Sequence, residues 1–222
     1  MHIKYILDSI RGITHLENQD KTVVIENPTF SLFFVFDGVS SAKNASTAVN
    51  LSEKFIKENY RKYCKNDEVS LKNLIIGLNE HLIESNLEEM LTTCSCLYYS
   101  ALENKLKFLN IGDTRIYGIS NQYITKYTKD NNLEQMPNVL TKCLGMKNLI
   151  SQDFEEKYIA NTDKRILICS DGFYKFLEKN KTIFHKLLNF KRLGNVEKAL
   201  KREIINNEDD STYLLLSLYV QN

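Results

Sequence analysis

The chain has 222 residues, of which 43% are hydrophobic, so it can build one sizeable core, and we treat 1–222 as a single domain. Lys and Arg number 29 against 28 Asp and Glu, and the resulting net charge of +1 gives no global bias toward nucleic acid or an anionic membrane. No apolar run reaches the roughly 20 residues of a membrane-spanning helix. Lys4 and Asp8 interrupt the N-terminus where a signal peptide would be apolar.

The first half of the chain predicts three strands followed by two helices. Residues 31–36 form a continuous apolar run, which is typical of a strand inside a sandwich, whereas from Ala42 onward apolar residues recur at helical spacing. The predicted strands cover 3–10, 22–26 and 31–36. The predicted helices cover 42–63 and 71–82.

The second half returns to strands and then alternates. A meander is predicted over 95–102, 105–111, 115–119 and 122–127, with turn residues between the strands. An irregular stretch follows at 129–138, then short strands at 139–144, 154–158 and 165–169. Helical periodicity marks 173–177, 182–188 and 196–205, and a last strand covers 212–220. Antiparallel blocks broken by helix pairs favour an α+β layered sandwich over a parallel sheet.

The five cysteines also restrict the class of protein. Their number is odd, and four of them, Cys94, Cys96, Cys143 and Cys169, lie in apolar strand-like segments, where a free thiol packs as a small hydrophobe. Histidine is too far away in sequence to suggest a zinc site with Cys94 and Cys96. This usage favours a reducing compartment, and we expect a cytoplasmic protein.

Three separate apolar strands end on an aspartate beside a glycine. The pairs are Asp37-Gly38, Gly112-Asp113 and Asp171-Gly172. Each alone is explained by a tight turn, since Asp-Gly is a favoured turn pair. Asp20 precedes the second strand and Asp209 precedes the last one, so the acids recur at strand ends throughout the chain.

Acids that converge at strand ends need a counter-charge. Two like charges about 4 Å apart cost roughly 4 kcal/mol at an effective dielectric near 20. Carboxylate and carbonyl oxygens without His or Cys select Mg²⁺, Mn²⁺ or Ca²⁺. Gly38, which lacks a side chain, lets its carbonyl oxygen approach such an ion and can adopt backbone angles that other residues avoid.

Taken in order, the motifs resemble those of the metal-dependent Ser/Thr protein phosphatases of type 2C, the PPM family, and its compact bacterial members in particular. The likeness covers nearly the whole chain. It rests on six segments in the family's order: RGITHLENQD (11–20), FFVFDGVSS (33–41), LKFLNIGDTRIYGI (106–119), LTKCLGM (140–146), DKRILICSDGFYKFL (163–177) and DDSTYLLLSL (209–218).

The resemblance implies a four-layer αββα sandwich, with two antiparallel sheets flanked by helix pairs and two Mn²⁺ or Mg²⁺ ions in the cleft between the sheet ends. By position in the motifs, Asp37 would bridge both ions, the Gly38 carbonyl would bind one of them, and Asp171 and Asp209 would complete the other. Asp20 would hold metal-bound waters. Asp113, together with Asp171, would hold a third, weaker ion.

The resemblance also implies a reaction. A water that bridges the two ions would be ionised near neutral pH and would attack the phosphorus of phosphoserine or phosphothreonine. Asp37, Asp171 and Asp209 are thus the expected catalytic centre. The expected partner is a phosphoprotein substrate, with the enzyme opposing a Ser/Thr kinase as a monomer that binds neither nucleic acid nor membrane.

His15 departs from the family pattern, because it occupies the position of the arginine that grips phosphate. Arginine offers a bidentate fork and stays charged, while histidine is half-charged near neutrality and donates from single nitrogens. Arg11 is a candidate to compensate, and a surface histidine without a role is the competing interpretation of His15. If His15 acts, phosphate affinity is weak and rises below pH 7.

Two other function classes stay open. A catalytically weak or inactive relative, kept as a regulatory or binding module, would use the same fold, which alone does not decide function. A Ca²⁺-stabilised structural protein would use the same acids but predicts a loop of closely spaced ligands, which the sequence lacks. Retention of Asp37, Gly38, Asp171 and Asp209 favours the enzyme, since a scaffold has no reason to keep carboxylates that repel one another.

Overall fold

Two five-stranded antiparallel sheets lie face to face in the computed structural model, which describes residues 3–159 and 163–218. The first sheet has the order β1 (Lys4–Ile10), β14 (Ser211–Ser217), β13 (Arg165–Cys169), β8 (Arg115–Ile119) and β9 (Ile124–Lys126). The second has the order β12 (Lys157–Ile159), β7 (Lys105–Ile111), β6 (Thr92–Ser100), β3 (Phe30–Gly38) and β2 (Asp20–Glu26). Two short hairpins pair β4 (Cys64–Lys65) with β5 (Glu68–Val69) and β10 (Asn132–Leu133) with β11 (Met136–Leu140).

Helices cover the outer face of each sheet. The second sheet is covered by α1 (Ala45–Asn59) and α2 (Leu71–Glu84), and the first by α3 (Asp171–Lys179), α4 (Lys181–Leu188) and α5 (Leu193–Ile204). A third apolar cluster fills the space between the sheets. The predicted α+β sandwich of two antiparallel sheets between helical layers is therefore confirmed, with three helices in one of the outer layers.

The continuous apolar run of β3 follows from its position between two cores. Phe34 and Phe36 pack toward α1 and α2, while Phe33 and Val35 pack toward the other sheet, and all four are fully buried. Successive side chains of a strand point to opposite faces. A strand with apolar neighbours on both faces therefore needs an apolar residue at every position.

Several predicted boundaries are accurate and one predicted strand is wrong. The strands predicted at 105–111, 115–119 and 165–169 coincide with β7, β8 and β13. The strand predicted at 139–144 does not form, because β11 ends at Leu140 and the following residues contribute only an isolated bridge between Leu144 and Thr92. The last strand was predicted to reach residue 220; β14 ends at Ser217, and residues 219–222 lie outside the described part of the chain.

The cysteines behave as the sequence predicts. All five are free thiols, and Cys94, Cys96, Cys143 and Cys169 are buried in the core. Burial raises the pKa of the Cys169 thiol well above its ordinary value, so it packs as a neutral side chain. Over the described ranges, no helix is long and apolar enough to cross a membrane.

Candidate metal centre

Asp20 and Asp37 face each other directly across the β2–β3 pair. They are Cα partners in the antiparallel register, and β3 continues beyond Asp37 to Gly38, which pairs with Thr92 of β6. Asp20 is only 4% exposed, and its Oδ2 atom has no hydrogen-bond partner among the described residues. The two carboxylates predicted at strand ends are therefore brought together by the register of one hairpin.

The environment of Asp37 disfavours its charged form. Burial is the largest cause, followed by the carboxylates of Asp20, Asp171, Asp113 and Asp209, and together they raise the pKa of Asp37 well above its ordinary value. The five carboxylates predicted at strand ends thus lie close enough to repel one another. They belong to Asp20, Asp37, Asp113, Asp171 and Asp209. A cluster of this kind is stabilised by a bound cation.

Burial and like charges also shift Asp20. Burial raises its pKa to about 7, the hydroxyls of Ser170 and Thr212 lower it in part, and Asp210 and Asp171 raise it again. Ser170 and Thr212 belong to neighbouring strand ends of the first sheet, where the Thr212 backbone N–H donates to Ser170 Oγ at 3.0 Å. Asp20 therefore lies at the junction of the two sheets.

Asp171 is the first residue of α3, directly after β13. The helix N-terminus carries partial positive charge, which favours a carboxylate there. Gly172 is required by a close backbone approach, because a Cβ atom at this position would lie 2.0 Å from the Asp210 carbonyl oxygen. Asn207 Nδ2 also donates to the Gly172 carbonyl at 2.7 Å. The start of α3 is thus packed directly against the loop that carries Asp209.

Asp209 and Asp210 have different roles in this loop. Asp210 is 4% exposed and accepts hydrogen bonds from the backbone N–H groups of Gly12 and Gln19, both at 2.7 Å. Asp209 points outward, and its side chain is 37% exposed. Asp210 therefore holds the 11–19 segment in place, while Asp209 is left accessible to a ligand.

His15 lies between these two acids. Its Nδ1 atom is 3.1 Å from Asp210 Oδ2, and its Nε2 atom is 3.5 Å from Asp209 Oδ1. The Nδ1 contact lacks hydrogen-bond alignment, and this nitrogen has no hydrogen-bond partner in the described residues. The structure thus brings His15 to the acidic cluster. Arg11, by contrast, is exposed and donates to the backbone carbonyl of His15, so it stabilises its own loop.

Lys175 places a cation beside two of the acids. Its Nζ atom is 2.9 Å from Asp171 Oδ2, one helical turn earlier on α3, and 3.4 Å from Asp209 Oδ2. Burial lowers the pKa of Lys175, but the Asp171 and Asp209 carboxylates outweigh that effect and raise it overall. Sequence reasoning missed this residue, although the four-residue spacing between Asp171 and Lys175 was a visible signal.

Asp113 lies on the loop between β7 and β8. The loop is held by the 129–138 stretch, where the Gly112 N–H donates to Asn131 Oδ1 at 2.9 Å and Asn132 Nδ2 donates to Asp113 Oδ2 at 3.5 Å. Burial, then Asp171 and Asp130, raise the pKa of Asp113 to about 6. Asp113 and Asp171 therefore interact.

Gly38 is explained by space and not by its backbone angles. A Cβ atom here would lie 3.0 Å from the Gln19 carbonyl oxygen and 3.1 Å from the Ala45 Cβ atom, tighter than ordinary contacts. Its φ lies outside the left-handed region, so the expectation that Gly38 uses angles forbidden to other residues is wrong. The glycine is needed because α1 begins directly against the end of β3.

The donor set suits a hard divalent cation. It consists of carboxylate oxygens and one backbone carbonyl, the ligands that Mg²⁺ and Mn²⁺ prefer, and the buried Asp20 Oδ2 atom has no other partner in the described residues. Within 3–159 and 163–218, however, no three His, Cys, Asp or Glu side chains already have the arrangement that holds a metal ion. Binding would therefore require these carboxylates to move closer together.

The comparisons with known proteins agree with this fold. The family model described as Protein phosphatase 2C matches residues 13–204 of the chain. The chain therefore belongs to the protein phosphatase 2C (PPM) family. A protein of Mycoplasma genitalium, provisionally called a protein phosphatase, is 23% identical over 95% of this chain and 93% of its own length.

Solved structures show the same fold. The serine/threonine phosphatase Stp1 from Staphylococcus aureus superposes with a TM-score of 0.82 at 21% identity, covering 100% of this chain and 96% of that one. RsbX, solved in complex with magnesium, superposes with a TM-score of 0.72 at 15% identity, covering 97% and 95% of the two chains. These structures share the fold of this chain over nearly its whole length, as its motifs predict.

Proposed function

We propose that this chain is a metal-dependent protein phosphatase that hydrolyses phosphoserine and phosphothreonine esters. The observation that carries the proposal is the cluster around Asp37, where carboxylates from both sheets lie close enough to raise its pKa. Membership of the protein phosphatase 2C family and the magnesium bound by the similar RsbX protein support it.

Each acid in the cluster would have a defined part. Asp37, Asp171, Asp209 and the Gly38 carbonyl would hold two Mn²⁺ or Mg²⁺ ions, and Asp113 with Asp171 would hold a third, weaker one. When bound, such ions would supply an ionised water as the nucleophile toward phosphorus and would offset negative charge on the phosphoryl oxygens. Asp20 Oδ2, which lacks a partner among the described atoms, would accept a hydrogen bond from water and orient it.

The phosphate itself would be oriented by His15, whose partly exposed side chain reaches the acidic cluster with its Nε2 atom 3.5 Å from Asp209 Oδ1. Asp210, through its bonds to Gly12 and Gln19, keeps the His15 loop against the acids. Arg11 would contribute by fixing the His15 backbone, because its guanidinium donates to the His15 carbonyl. An imidazole donates fewer hydrogen bonds than a guanidinium, so phosphate affinity would be modest.

The wider setting follows from the same features. The substrate would be a phosphoprotein, and the enzyme would oppose a Ser/Thr kinase as a monomeric, single-domain protein over residues 1–222. The five free cysteines support a reducing cytoplasm. A net charge of +1 supports partners other than nucleic acid or membrane.

A catalytically weak or inactive regulatory module is the second candidate, and two observations favour it. Lys175 already neutralises part of the charge on Asp171 and Asp209, and His15 replaces the arginine of the family pattern. A regulatory module would keep the fold and lose the turnover.

Hydrolysis of a phosphothreonine peptide, measured with Mn²⁺, with Mg²⁺ and with EDTA, separates the two candidates. An enzyme releases phosphate only with metal, and Asp37→Asn and Asp171→Asn each lower the rate at least about a hundredfold, since a ligand to the reacting centre is lost. Lys54→Gln, on the exposed face of α1, is the control and keeps the wild-type rate. Equal release with EDTA, or full activity in both aspartate variants, would refute the proposed centre.

A further inference from the structure

A basic cavity lies at the end of the first sheet that is remote from the acidic cluster. It has a volume of about 470 Å³, and its lining includes Lys4, Lys164, Arg165, Lys191 and Arg192. Ser217, the last residue of β14, also lines it, whereas Ser211 at the other end of that strand follows Asp210 directly. Six residue steps of about 3.4 Å separate the two ends by roughly 20 Å. The cavity is therefore separate from the proposed phosphatase site.

Three of the cations that line this cavity have no acidic partner in the described part of the chain. None of the described residues that line it is Asp or Glu. Lys4, Lys191 and Arg192 belong to none of the 18 ion pairs found in the described ranges. These three cations therefore face the cavity without a carboxylate partner among the described residues. Clustered cations in a concave site concentrate anions there.

Arg165 adds a buried charge to the cavity wall. It is 8% exposed, and its guanidinium donates to the carbonyl oxygens of Leu188 and Phe190, the second at 2.6 Å. Burial lowers the pKa of Arg165, and no carboxylate among the described residues raises it again. The arginine thus ties the end of α4 to β13 and leaves its charge to be balanced from the cavity.

The start of α5 opens into the same cavity. Arg192 is its N-cap residue and makes no side-chain cap, and the first turn contains no acidic residue. A Cβ atom on Gly194, in this first turn, would meet nothing within 4 Å, so the backbone there is open. Exposed N–H groups at a helix N-terminus are donors for phosphate oxygens. They add to the side-chain cations that define the cavity.

We propose that this cavity binds the di- or triphosphate group of a small molecule such as a nucleoside polyphosphate. Three exposed cations, Lys4, Lys191 and Arg192, match the three or so negative charges of such a group. The volume lies in the range of small-molecule pockets, and Leu193 supplies apolar surface for the rest of the ligand. A concave site of this volume favours a small molecule over a second phosphorylated segment of a protein substrate.

Calorimetric titration of the full chain with pyrophosphate and with ATP tests this inference. The titration is made in EDTA, where the carboxylate cluster repels polyphosphates and so does not contribute binding, and is repeated with Mg²⁺. We expect one site per chain that binds pyrophosphate and ATP at least about tenfold more tightly than inorganic phosphate and that weakens with salt. The result does not depend on whether the chain is a phosphatase.

Two variants and a control locate the site. Arg192→Gln is expected to weaken pyrophosphate binding at least about tenfold. Gly194→Asp is expected to abolish it while leaving the melting temperature unchanged or higher, because the new side chain has open space and an acid stabilises the first turn of a helix. Lys54→Gln, an exposed lysine on α1, should bind as the wild type does.

Three outcomes would overturn the inference. One is the absence of pyrophosphate and ATP binding at low salt. The second is an equal loss in Lys54→Gln and Arg192→Gln, which would mean diffuse attraction to surface charge. The third is binding of a doubly phosphorylated peptide, lost in Gly194→Asp, without binding of pyrophosphate or ATP, which would make the occupant a protein substrate.

Discussion

At the scale of single residues, two basic side chains around Asp209 distinguish this chain. His15 Nε2 lies 3.5 Å from one oxygen of Asp209, and Lys175 Nζ lies 3.4 Å from the other. The histidine stands where the family pattern has arginine, and the lysine also contacts Asp171. Both residues therefore bear on how strongly the site holds metal and phosphate.

His15→Arg is expected to strengthen inhibition by inorganic phosphate about tenfold. A guanidinium offers a planar fork of donors and stays charged, whereas an imidazole donates from single nitrogens. The measurement is the phosphate inhibition constant at neutral pH, with His185→Arg on α4 as the control for an added arginine elsewhere. An unchanged constant in His15→Arg would mean that residue 15 does not contact the phosphate.

Lys175→Gln is expected to tighten Mn²⁺ binding about threefold to tenfold. The ammonium competes with a metal ion for the Asp171 and Asp209 oxygens, and a half-exposed pair of this kind contributes up to about 1 kcal/mol. Calorimetric titration of the metal-free protein with Mn²⁺ measures the change. Mn²⁺ affinity equal to that of the wild type would show that the ammonium does not compete with the metal ion for these oxygens.

Lys201→Gln is the matched control for that experiment. Lys201 also bridges two acids from a helix, with its Nζ atom 3.0 Å from Glu197 and 3.6 Å from Asp8. It lies on α5, away from the acidic cluster. Its removal should leave Mn²⁺ affinity as it is, so any shared effect of the two variants would be due to net charge alone.

At the scale of elements, the 11–19 segment is joined to the 207–211 loop by a short series of hydrogen bonds. Ile13 N donates to Asn207 O at 3.0 Å, and Thr14 Oγ1 donates to Glu208 O at 2.6 Å. Asp210 completes the series through its bonds to Gly12 and Gln19. The position of His15 thus depends on a buried carboxylate more than 190 residues away in sequence.

Asp210→Ala is expected to destabilise the protein by about 2–4 kcal/mol and to raise KM more than it lowers kcat. One buried and one half-buried N–H group lose a charged acceptor, and the His15 loop loses its anchor while the acids proposed to hold metal remain. Urea unfolding and steady-state kinetics on a phosphothreonine peptide measure the two effects. Asp210→Asn keeps one oxygen acceptor, so its stability and its KM should lie between those of the wild type and of Asp210→Ala.

A different result would count against this role for Asp210. If Asp210→Ala unfolds at the wild-type urea concentration, the carboxylate does not stabilise the loop. If kcat falls while KM is unchanged, Asp210 acts on the reacting centre itself and not through the position of His15.

Sequence reasoning predicted elements well where both sides of a strand are apolar. The strands β7, β8 and β13 were placed at their observed ends, because buried strands are continuous apolar runs bounded by turn residues. It failed over 129–144, where β11 is mostly exposed and the pairing with β10 shifts register at Asn132 and Leu133. An exposed, irregular hairpin leaves no periodic pattern to detect.

The candidate site was predicted in part. Asp20, Asp37, Asp113, Asp171 and Asp209 do converge, since each lies at or next to the end of a strand in the layered fold. Asp210 and the Ser170–Thr212 contact were not predicted, because they depend on how two loops distant in sequence pack together. No local pattern reports such a contact.

At the scale of the whole molecule, the acidic cluster opposes folding at neutral pH in metal-free protein. Asp20 has its pKa raised to about 7 and Asp113 to about 6, both chiefly by burial. Between roughly pH 4 and these values, the folded chain keeps protons that the unfolded chain has lost. The contribution of these acids to stability is therefore present at low pH and is lost as pH rises toward 7.

Asp20→Asn is expected to remove much of this pH dependence. The measured quantity is the difference in unfolding free energy between Asp20→Asn and the wild type, both in EDTA. This difference should rise in favour of Asp20→Asn by on the order of 2 kcal/mol from about pH 5 to pH 7.5, because at the higher pH the wild type must bury a charge. Urea unfolding at the two pH values measures it. A constant difference between the two proteins across this range would mean that Asp20 is charged throughout.

Asp153→Asn is the control for the pH experiment. Burial raises the pKa of Asp153, but Lys142 and the Ile150 N–H lower it more, so its pKa lies below the ordinary value. The stability that Asp153 contributes is present above the unfolded pKa, near 4, and is lost only at lower pH. Its replacement should therefore lower stability by the same amount at both pH values.

The most direct test of the metal centre is anomalous scattering from a crystal soaked in Mn²⁺. We predict two anomalous peaks in the cleft, with Asp37 between them and Asp171 and Asp209 on one of them, and with the carboxylates closer together than in the metal-free protein. Lys175 should have moved away from Asp171. Acids that face different sides of the molecule, with no peak among them, would contradict the account.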